Sequence, residues 1–387
     1  MLKYVVVTDN NPDSGVLKKV RYQVDTLNDL GFPAELDIIT QVERKETTSG
    51  TIKFFYFEKL EKTTFFARLE RAKKIRNIFG SLIASSGPDD IIYYRAFGSL
   101  MLLYYPLAFF KPFHRCKIIS EHNTIEAREL LLDREYTAAF QNWLFGNLII
   151  GQSNGIIGVT GEITRYWTKR LFYRKIPHST IPNGIMVDSV ILRKTPPYDP
   201  SDLHILFVGN VSRWHGLDRM IQGIATYRGS VRLHFHIVGD GDEVDSLKLL
   251  KSSVDPDANI YFHGFMSGVD LDTMFDRCHI AVGSLGIHRK GLAQTSELKA
   301  REYCARGIPY VIACGDADFP DDFPWILRIP ADDLPVDMEK VVTFAHSVFS
   351  GKDPAPAMRK FAQENLDWKV KIAKLQDFIA KKILIHA

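Results

Sequence analysis

Short apolar runs that end on a glycine or a polar turn recur along this chain, and helical stretches separate them. The first series holds YVVVT (residues 4–8), ELDIIT, DIIYYR (90–95), CKIISE (116–121) and GIIGVT (155–160). The second holds HILFVG (204–209), RLHFHIVG (232–239), NIYFHG, HIAVGS and PYVIAC. Strands that alternate with helices build a parallel sheet covered on both faces. Between the two series, TIPNGI (180–185) brings Pro182, Asn183 and Gly184 together, a strong break and a hinge. The expected fold is therefore α/β, with two Rossmann-like, doubly wound domains facing across a cleft. Their expected limits are residues 1–183 and 184–365, followed by a helical segment, 366–387, whose apolar stripe is Trp368, Ile372, Leu375 and Phe378. In such sheets ligands sit outside the carboxyl ends of the strands, which directs attention to the loops found there.

A chain of 387 residues with 45% apolar and 25% charged residues has enough core to fold without staples. Its four cysteines, Cys116, Cys278, Cys304 and Cys314, have no CxxC spacing, which argues for reduced, buried thiols and against a cysteine-held zinc. The opening residues run from a strand into a polar turn and show no secretory cleavage pattern. The longest apolar run, LMLLYYPLAFF (100–110), is about half of a bilayer span and contains a proline. The expected location is cytoplasmic.

Charge is unevenly shared. Residues 1–183 carry 25 Lys and Arg against 19 Asp and Glu, and residues 184–387 carry 24 against 27. Much of the basic excess lies in residues 59–82, where Lys59, Lys62, Arg68, Arg71, Lys73, Lys74 and Arg76 interleave with Phe65, Phe66, Leu69, Ile75, Ile78, Phe79 and Leu82. The spacing predicts a basic amphipathic helix. It serves either as a helix packed on the core or as a peripheral patch resting on an anionic membrane surface. Nucleic acid is not an expected partner, because the whole-chain excess is small and no recognised binding motif is present.

Five loops carry candidate chemistry. In GIHRKGLAQTSELKAREYCARGIP, Ser296 reads as an N-cap, Gly307 as a C-cap and Pro309 as the stop. Lys299 then falls in the first helical turn, where it opposes the helix dipole unless an anion sits at that end. Glu302, three residues on, shares its face. One face would thus offer a cation for phosphate and a carboxylate for sugar hydroxyls, or else a plain surface ion pair. In GNVSRWHGLDR, Arg213 either chelates phosphate oxygens or is an ordinary exposed arginine. VGDGDE lacks the third glycine of a dinucleotide fingerprint. Gly15 opens the first helix and permits close backbone approach. His122, in SEHNT, is either a cleft residue or a satisfied histidine capping the next helix.

At this point the segments ILFVGNVSRWHGLDRMI, LHFHIVGDGDE, YFHGF and SELKAREYCARGIPYVI resemble, in order and spacing, the C-terminal half of glycosyltransferase family four, which has the GT-B fold. TIPNGI resembles its interdomain segment, and the tryptophan helix resembles the one that crosses back to the first domain. The resemblance is specific over residues 180–316 and weaker before them. It implies a retaining transfer of sugar from a nucleotide diphosphate sugar to a hydroxyl of a glycan or lipid-linked acceptor, with the nucleotide on the second domain. Carried over by position, Glu302 would bind the ribose, and Arg213 and Lys299 would neutralise the diphosphate beside Ser296 and Leu298. Gly15 would let the N-terminal loop close, His122 would contact the donor sugar, and His288 and Arg289 would line its pocket.

The sequence departs from the family pattern in two places. The paired acids read Gln294 and Glu302, and the basic pair of the phosphate loop reads Asn210 and His215. These changes resemble a bacterial subgroup of surface-polysaccharide synthesis. Three Asp-x-Asp patterns (Asp240, Asp270 and Asp316 lead them) are near chance in an acidic half, so no cofactor and no metal are expected. Two other readings remain: a non-catalytic nucleotide-binding scaffold subunit, or another GT-B enzyme such as a nucleotide-sugar epimerase.

Overall fold

The computed structural model describes residues 1–9, 14–42, 51–58, 65–96, 115–132, 134–169 and 175–384. They form two compact units, one of Met1–Pro182 with Trp368–Ala387 and one of Asn183–Asp367.

Unit 1 is built on a parallel sheet of seven strands in the order β3-β2-β1-β4-β5-β6-β7. The strands are β1 (Leu2–Val7), β2 (Ala34–Thr40), β3 (Ile52–Tyr56), β4 (Ile91–Arg95), β5 (Lys117–His122), β6 (Gly155–Gly158) and β7 (His178–Thr180). β1, β2 and β4 are buried almost throughout, as sheets flanked by helices on both faces require. Helix α1 (Gly15–Asp29) follows β1, with the Ser14 hydroxyl accepting from the Leu17 N–H at 3.4 Å. Helix α2 (Phe65–Ala84) buries Ala72, Ile75, Phe79, Leu82 and Ile83, so Ile75, Phe79 and Leu82 of the expected apolar stripe pack on the core. On its outer side Lys73 pairs with Glu70 at 2.7 Å and Lys74 with Glu58 at 3.4 Å. The first part of the expected membrane patch (59–82), residues 59–64, and the apolar run at 100–110 lie outside the described residues. Among those described, no helix is long and apolar enough to cross a membrane.

Unit 2 repeats the plan with six parallel strands in the order β10-β9-β8-β11-β12-β13. They are β8 (Asp202–Val208), β9 (Arg232–Val238), β10 (Ile260–Gly264), β11 (Ile280–Val282), β12 (Tyr310–Ile312) and β13 (Ile326–Arg328). Leu203, Ile205, Phe207, Phe235, Ile237 and Val282 fill one side of the sheet, and Leu206, Val238, Ala281, Tyr303 and Tyr310 fill the other.

The helical segment expected from residue 366 begins at Trp368, apart from the helix before it. Ala355–Asn365 ends in unit 2, and Trp368–Phe378 belongs to unit 1, where it packs on α1. The break falls at Leu366–Asp367, because Asp367 Oδ2 accepts from the Val187 N–H at 3.1 Å and the Leu366 carbonyl accepts from the Ile185 N–H at 2.9 Å. Trp368, Ile372, Leu375 and Phe378 are buried. Each such side chain contributes about 1.5–3 kcal/mol, enough to hold the last segment on the first unit.

Candidate functional site

The site residues of unit 2 gather at the carboxyl ends of its strands. β8 runs into Gly209, and the following turn, Arg213–His215, is closed by a capping box in which Ser212 and His215 hold each other's backbone. Gly239, after β9, has φ +127°, and a Cβ there would lie 1.9 Å from the Gly209 carbonyl oxygen. Only glycine permits the two loops to touch, and the Val211 N–H then donates to the Asp240 carbonyl at 2.8 Å. Within this frame the Arg213 side chain is exposed, with no hydrogen-bond partner among the described residues.

His215 is buried, and its Nδ1 accepts from the Ser212 N–H at 3.2 Å. Burial, then the nearby Lys299 and Lys290 charges, push its pKa well below the usual histidine range. The ring is therefore neutral, and this bond assigns its proton to Nε2. What reads as the loss of a fixed charge leaves a neutral donor in its place.

The helix Leu298–Arg306 follows β11 after the loop 283–297, with Glu297 in the N-cap position. The sequence pattern places the cap at Ser296. In the structure the Ser296 hydroxyl accepts from the Asn183 N–H at 2.8 Å, and its carbonyl accepts from Asn183 Nδ2 at 2.6 Å. Ser296 thus ties the start of unit 2 to this loop. Leu298 is the first helical residue, and the early N–H groups of such a helix have no acceptor within it.

Lys299 does not pair with Glu302. Its Nζ is buried, lies 4.2 Å over the Phe207 ring, and is within 3.5 Å of where a side chain at Gly209 would begin. That Nζ has no hydrogen-bond partner among the described residues. Burial lowers its pKa to about 8, against the opposing pull of Glu297. Glu297 Oε2 accepts from the Ser284 N–H at 3.2 Å, while its buried Oε1 has no partner. Glu302 is half-buried one turn on, and its Oε1 accepts from Arg306 Nε at 2.8 Å. Tyr303 fixes the helix under the sheet: its hydroxyl accepts from the Val208 N–H and donates to the Val282 carbonyl, both at 3.1 Å.

His288 and Arg289 lie in the short turn Ile287–Lys290 and are engaged by carboxylates. His288 Nε2 is 3.1 Å from Asp333 Oδ1. Arg289 donates to both Asp218 oxygens at 2.9 and 2.7 Å, to Asp333 at 2.7 Å and to the Arg213 carbonyl at 2.7 Å. Arg289 therefore braces the loop that presents Arg213. Two of the three Asp-x-Asp patterns are engaged by arginines: Asp316 and Asp318 both clamp the buried Arg301, and Asp272 accepts from Arg306 at 2.6 Å.

Unit 1 holds the remaining two residues. Gly15 is the exposed first residue of α1, and the turn before it, residues 10–13, lies outside the described residues. His122 ends β5 and is buried, with its ring 4.6 Å from Trp167, its Nε2 3.1 Å from Ser120 Oγ and its Nδ1 3.5 Å from Glu126 Oε1. Beside it the sequence reading missed Glu121, a buried carboxylate paired with Lys19 that also accepts from the Tyr4 and Tyr93 hydroxyls at 2.9 and 2.8 Å. Burial pushes that carboxyl up, but the Lys19 and Arg95 charges and the hydrogen bonds from Lys19 and Tyr93 together outweigh it and hold its pKa well below the usual carboxylate range.

Comparison with known proteins agrees with this architecture. Residues 191–312, within unit 2, match the family model for glycosyl transferases group 1. No curated protein sequence matches the chain significantly. Among solved structures, a sucrose-phosphate synthase from Thermosynechococcus elongatus superposes with a TM-score of 0.72 at 13% identity, covering 98% of this chain and 99% of its own. Anabaena HepE in complex with UDP and glucose gives 0.66 at 14% identity, with 98% and 100% covered. The apo lipopolysaccharide outer core galactosyltransferase WaaB gives 0.65 at 14%, with 99% and 100% covered. The chain has a two-domain, Rossmann-like GT-B fold, and the family match in its second unit supports a glycosyltransferase.

Proposed function

We propose that the protein is a retaining glycosyltransferase that moves a sugar from a nucleotide diphosphate sugar to a hydroxyl of a glycan or lipid-linked acceptor in bacterial surface-polysaccharide synthesis. The observation that carries this reading is the buried, unpartnered Lys299 Nζ beside the Gly209 loop. A buried donor without an acceptor is costly unless a ligand supplies one. A diphosphate supplies acceptor oxygens and the negative charge that this amine and the adjacent helix N-terminus favour.

In this reading Lys299 and Arg213 neutralise the diphosphate, and the neutral His215 donates from Nε2. Glu302 binds the ribose hydroxyls, exchanging part of its bond to Arg306 for them. Leu298 and Ser296 shape the helix start, and His288 and Arg289 hold the loop in place through Asp333 and Asp218. As the glycosidic bond breaks, negative charge grows on the leaving phosphate, so contacts to it strengthen in the transition state. Side chains and the helix dipole supply the positive charge, without a metal. His122 and Gly15 belong to the donor-sugar and closing-loop parts of unit 1. HepE bound to UDP and glucose, and WaaB, named for a galactose transfer to lipopolysaccharide, support a nucleotide-sugar donor and a glycan acceptor.

The test is a thermal-shift screen with UDP and GDP, followed by release of nucleotide from the matching donors with and without acceptor extract. A shift with one nucleotide and acceptor-dependent release are expected. Binding with no turnover of any donor would favour a scaffold subunit instead.

A further inference from the structure

The start of the helix Leu298–Arg306 holds a second charged group that the reading above leaves unused. Glu297 stands at the N-cap, but its side chain makes no bond to the helix. It turns instead toward the end of β11, where Oε2 accepts from the Ser284 N–H at 3.2 Å. A Cβ at the neighbouring Gly283 would lie 3.4 Å from that oxygen and 2.6 Å from the Ile312 side chain. A glycine there lets the carboxylate lie close against the strand end.

The other oxygen, Oε1, is buried and has no hydrogen-bond partner among the described residues. A buried acceptor costs free energy until a group donates to it. Two residues on, the Lys299 amine is buried without an acceptor, and neither group bonds the other. Burial aside, Glu297 is the group that acts most strongly on that amine, and both charges reach the Cys314 thiol just past β12. One pocket at the carboxyl ends of the strands thus contains an unsatisfied acceptor beside an unsatisfied donor.

We propose that Glu297 receives the glycosyl group of the donor, with Oε1 accepting a hydrogen bond from a sugar hydroxyl, and that the donor sugar is uncharged. The inference rests on the nucleotide diphosphate sugar reading above. A diphosphate at neutral pH has no proton to give a carboxylate and repels it. The group that satisfies Oε1 is therefore not the one that satisfies Lys299.

The order of the residues matches the order of the ligand. Glu302, facing the ribose, lies three residues or about 4.5 Å along the helix axis from Lys299. Glu297 lies off the opposite end. A ligand that runs from ribose through diphosphate to sugar brings its sugar to Glu297, and hydroxyls are the donors that such a sugar carries. A uronic acid would bring a second negative charge into a buried site, which excludes it as a donor. Glu297 and Lys299 are half-buried as whole residues, so a donor reaches their ends by a change of side-chain rotamer.

The experiment is calorimetry on the full chain. UDP is compared with UDP-glucose, UDP-galactose and UDP-N-acetylglucosamine, and GDP with GDP-mannose. The readout is the ratio of affinity for the tightest nucleotide sugar to affinity for its bare nucleotide. Any effect of Glu297 on Lys299 acts on both ligands and cancels in that ratio. Glu297→Gln, which keeps an acceptor for Ser284, should lower the ratio about 10-fold, and Glu297→Ala as much as ~100-fold. Glu302→Gln should weaken both ligands alike and leave the ratio unchanged. UDP-glucuronic acid should bind the wild type about 10-fold more weakly than the neutral UDP sugars. An unchanged ratio in both Glu297 variants, with nucleotide still bound, would overturn this inference and leave the transferase reading standing. Equal loss of both ligands would make Glu297 a support of the pocket and overturn it too. Tight binding of UDP-glucuronic acid by the wild type would overturn the uncharged-donor claim even if a variant failed to fold. No binding of any of these compounds by the wild type would overturn the underlying reading and this inference with it.

Discussion

Two buried lysines divide the molecule's two units by purpose. In unit 1, Lys19 is enclosed beside Glu121, and its ammonium also donates to Asn123 at 2.7 Å. Tyr4, Tyr93 and Asn123 complete the carboxylate's shell. In unit 2, Lys299 Nζ is also enclosed and has no hydrogen-bond partner among the described residues. The same residue type, at similar depth, is architecture in one sheet and an unsatisfied donor in the other. A satisfied buried charge contributes to the fold, whereas an unsatisfied one lowers stability and is kept for what it binds.

The largest expected effect lies on the architectural side. Glu121→Ala strands the Lys19 charge in the core and should cost about 3–5 kcal/mol in urea unfolding. Lys299→Met should instead leave the urea midpoint unchanged or raise it. If Glu121→Ala proved harmless, the contrast between the two lysines would fail.

On the binding side, Lys299→Met should remove a charge-assisted contact worth about 1.5–3 kcal/mol, weakening nucleotide affinity roughly 10- to 100-fold by calorimetry. A sharper form is the pH profile. The folded-state pKa of Lys299 is depressed to about 8, so its positive charge is present below that pH and is lost as pH rises through it. Nucleotide affinity should therefore fall above pH 8, by up to about tenfold per unit, and the profile of Lys299→Met should be flat in that window. Arg213→Ala, at an exposed guanidinium, should cost only about 0.2–1 kcal/mol of affinity and leave the melting temperature unchanged. The smallest effect concerns α2, whose apolar face is already used in the core. Reversing Lys73, Lys74 and Arg76 to Glu should reduce cosedimentation with anionic liposomes, and unchanged sedimentation would remove the membrane claim.

Much of this was legible in the sequence because strands and their terminating loops are local features. The runs around residues 4–8, 90–95, 204–209 and 232–239 each coincide with a strand of the two sheets. β3, with the partly exposed sequence IKFFY, and β13, only three residues long, carried too little periodicity to be seen. The helix start at Glu297 rather than Ser296 was hidden because Asn183, 113 residues earlier, takes the serine hydroxyl. Glu297 and Tyr303 escaped for the same reason, since their bonds to Ser284, Val208 and Val282 cross between elements.

The central claim is that Lys299 Nζ awaits a phosphate oxygen. A crystal structure of the protein soaked with the nucleotide identified by thermal shift tests it most directly. The account predicts a diphosphate oxygen within about 3 Å of Lys299 Nζ, beside the Gly209 loop. A well-ordered nucleotide seated elsewhere, with that amine still lacking an acceptor, would contradict it.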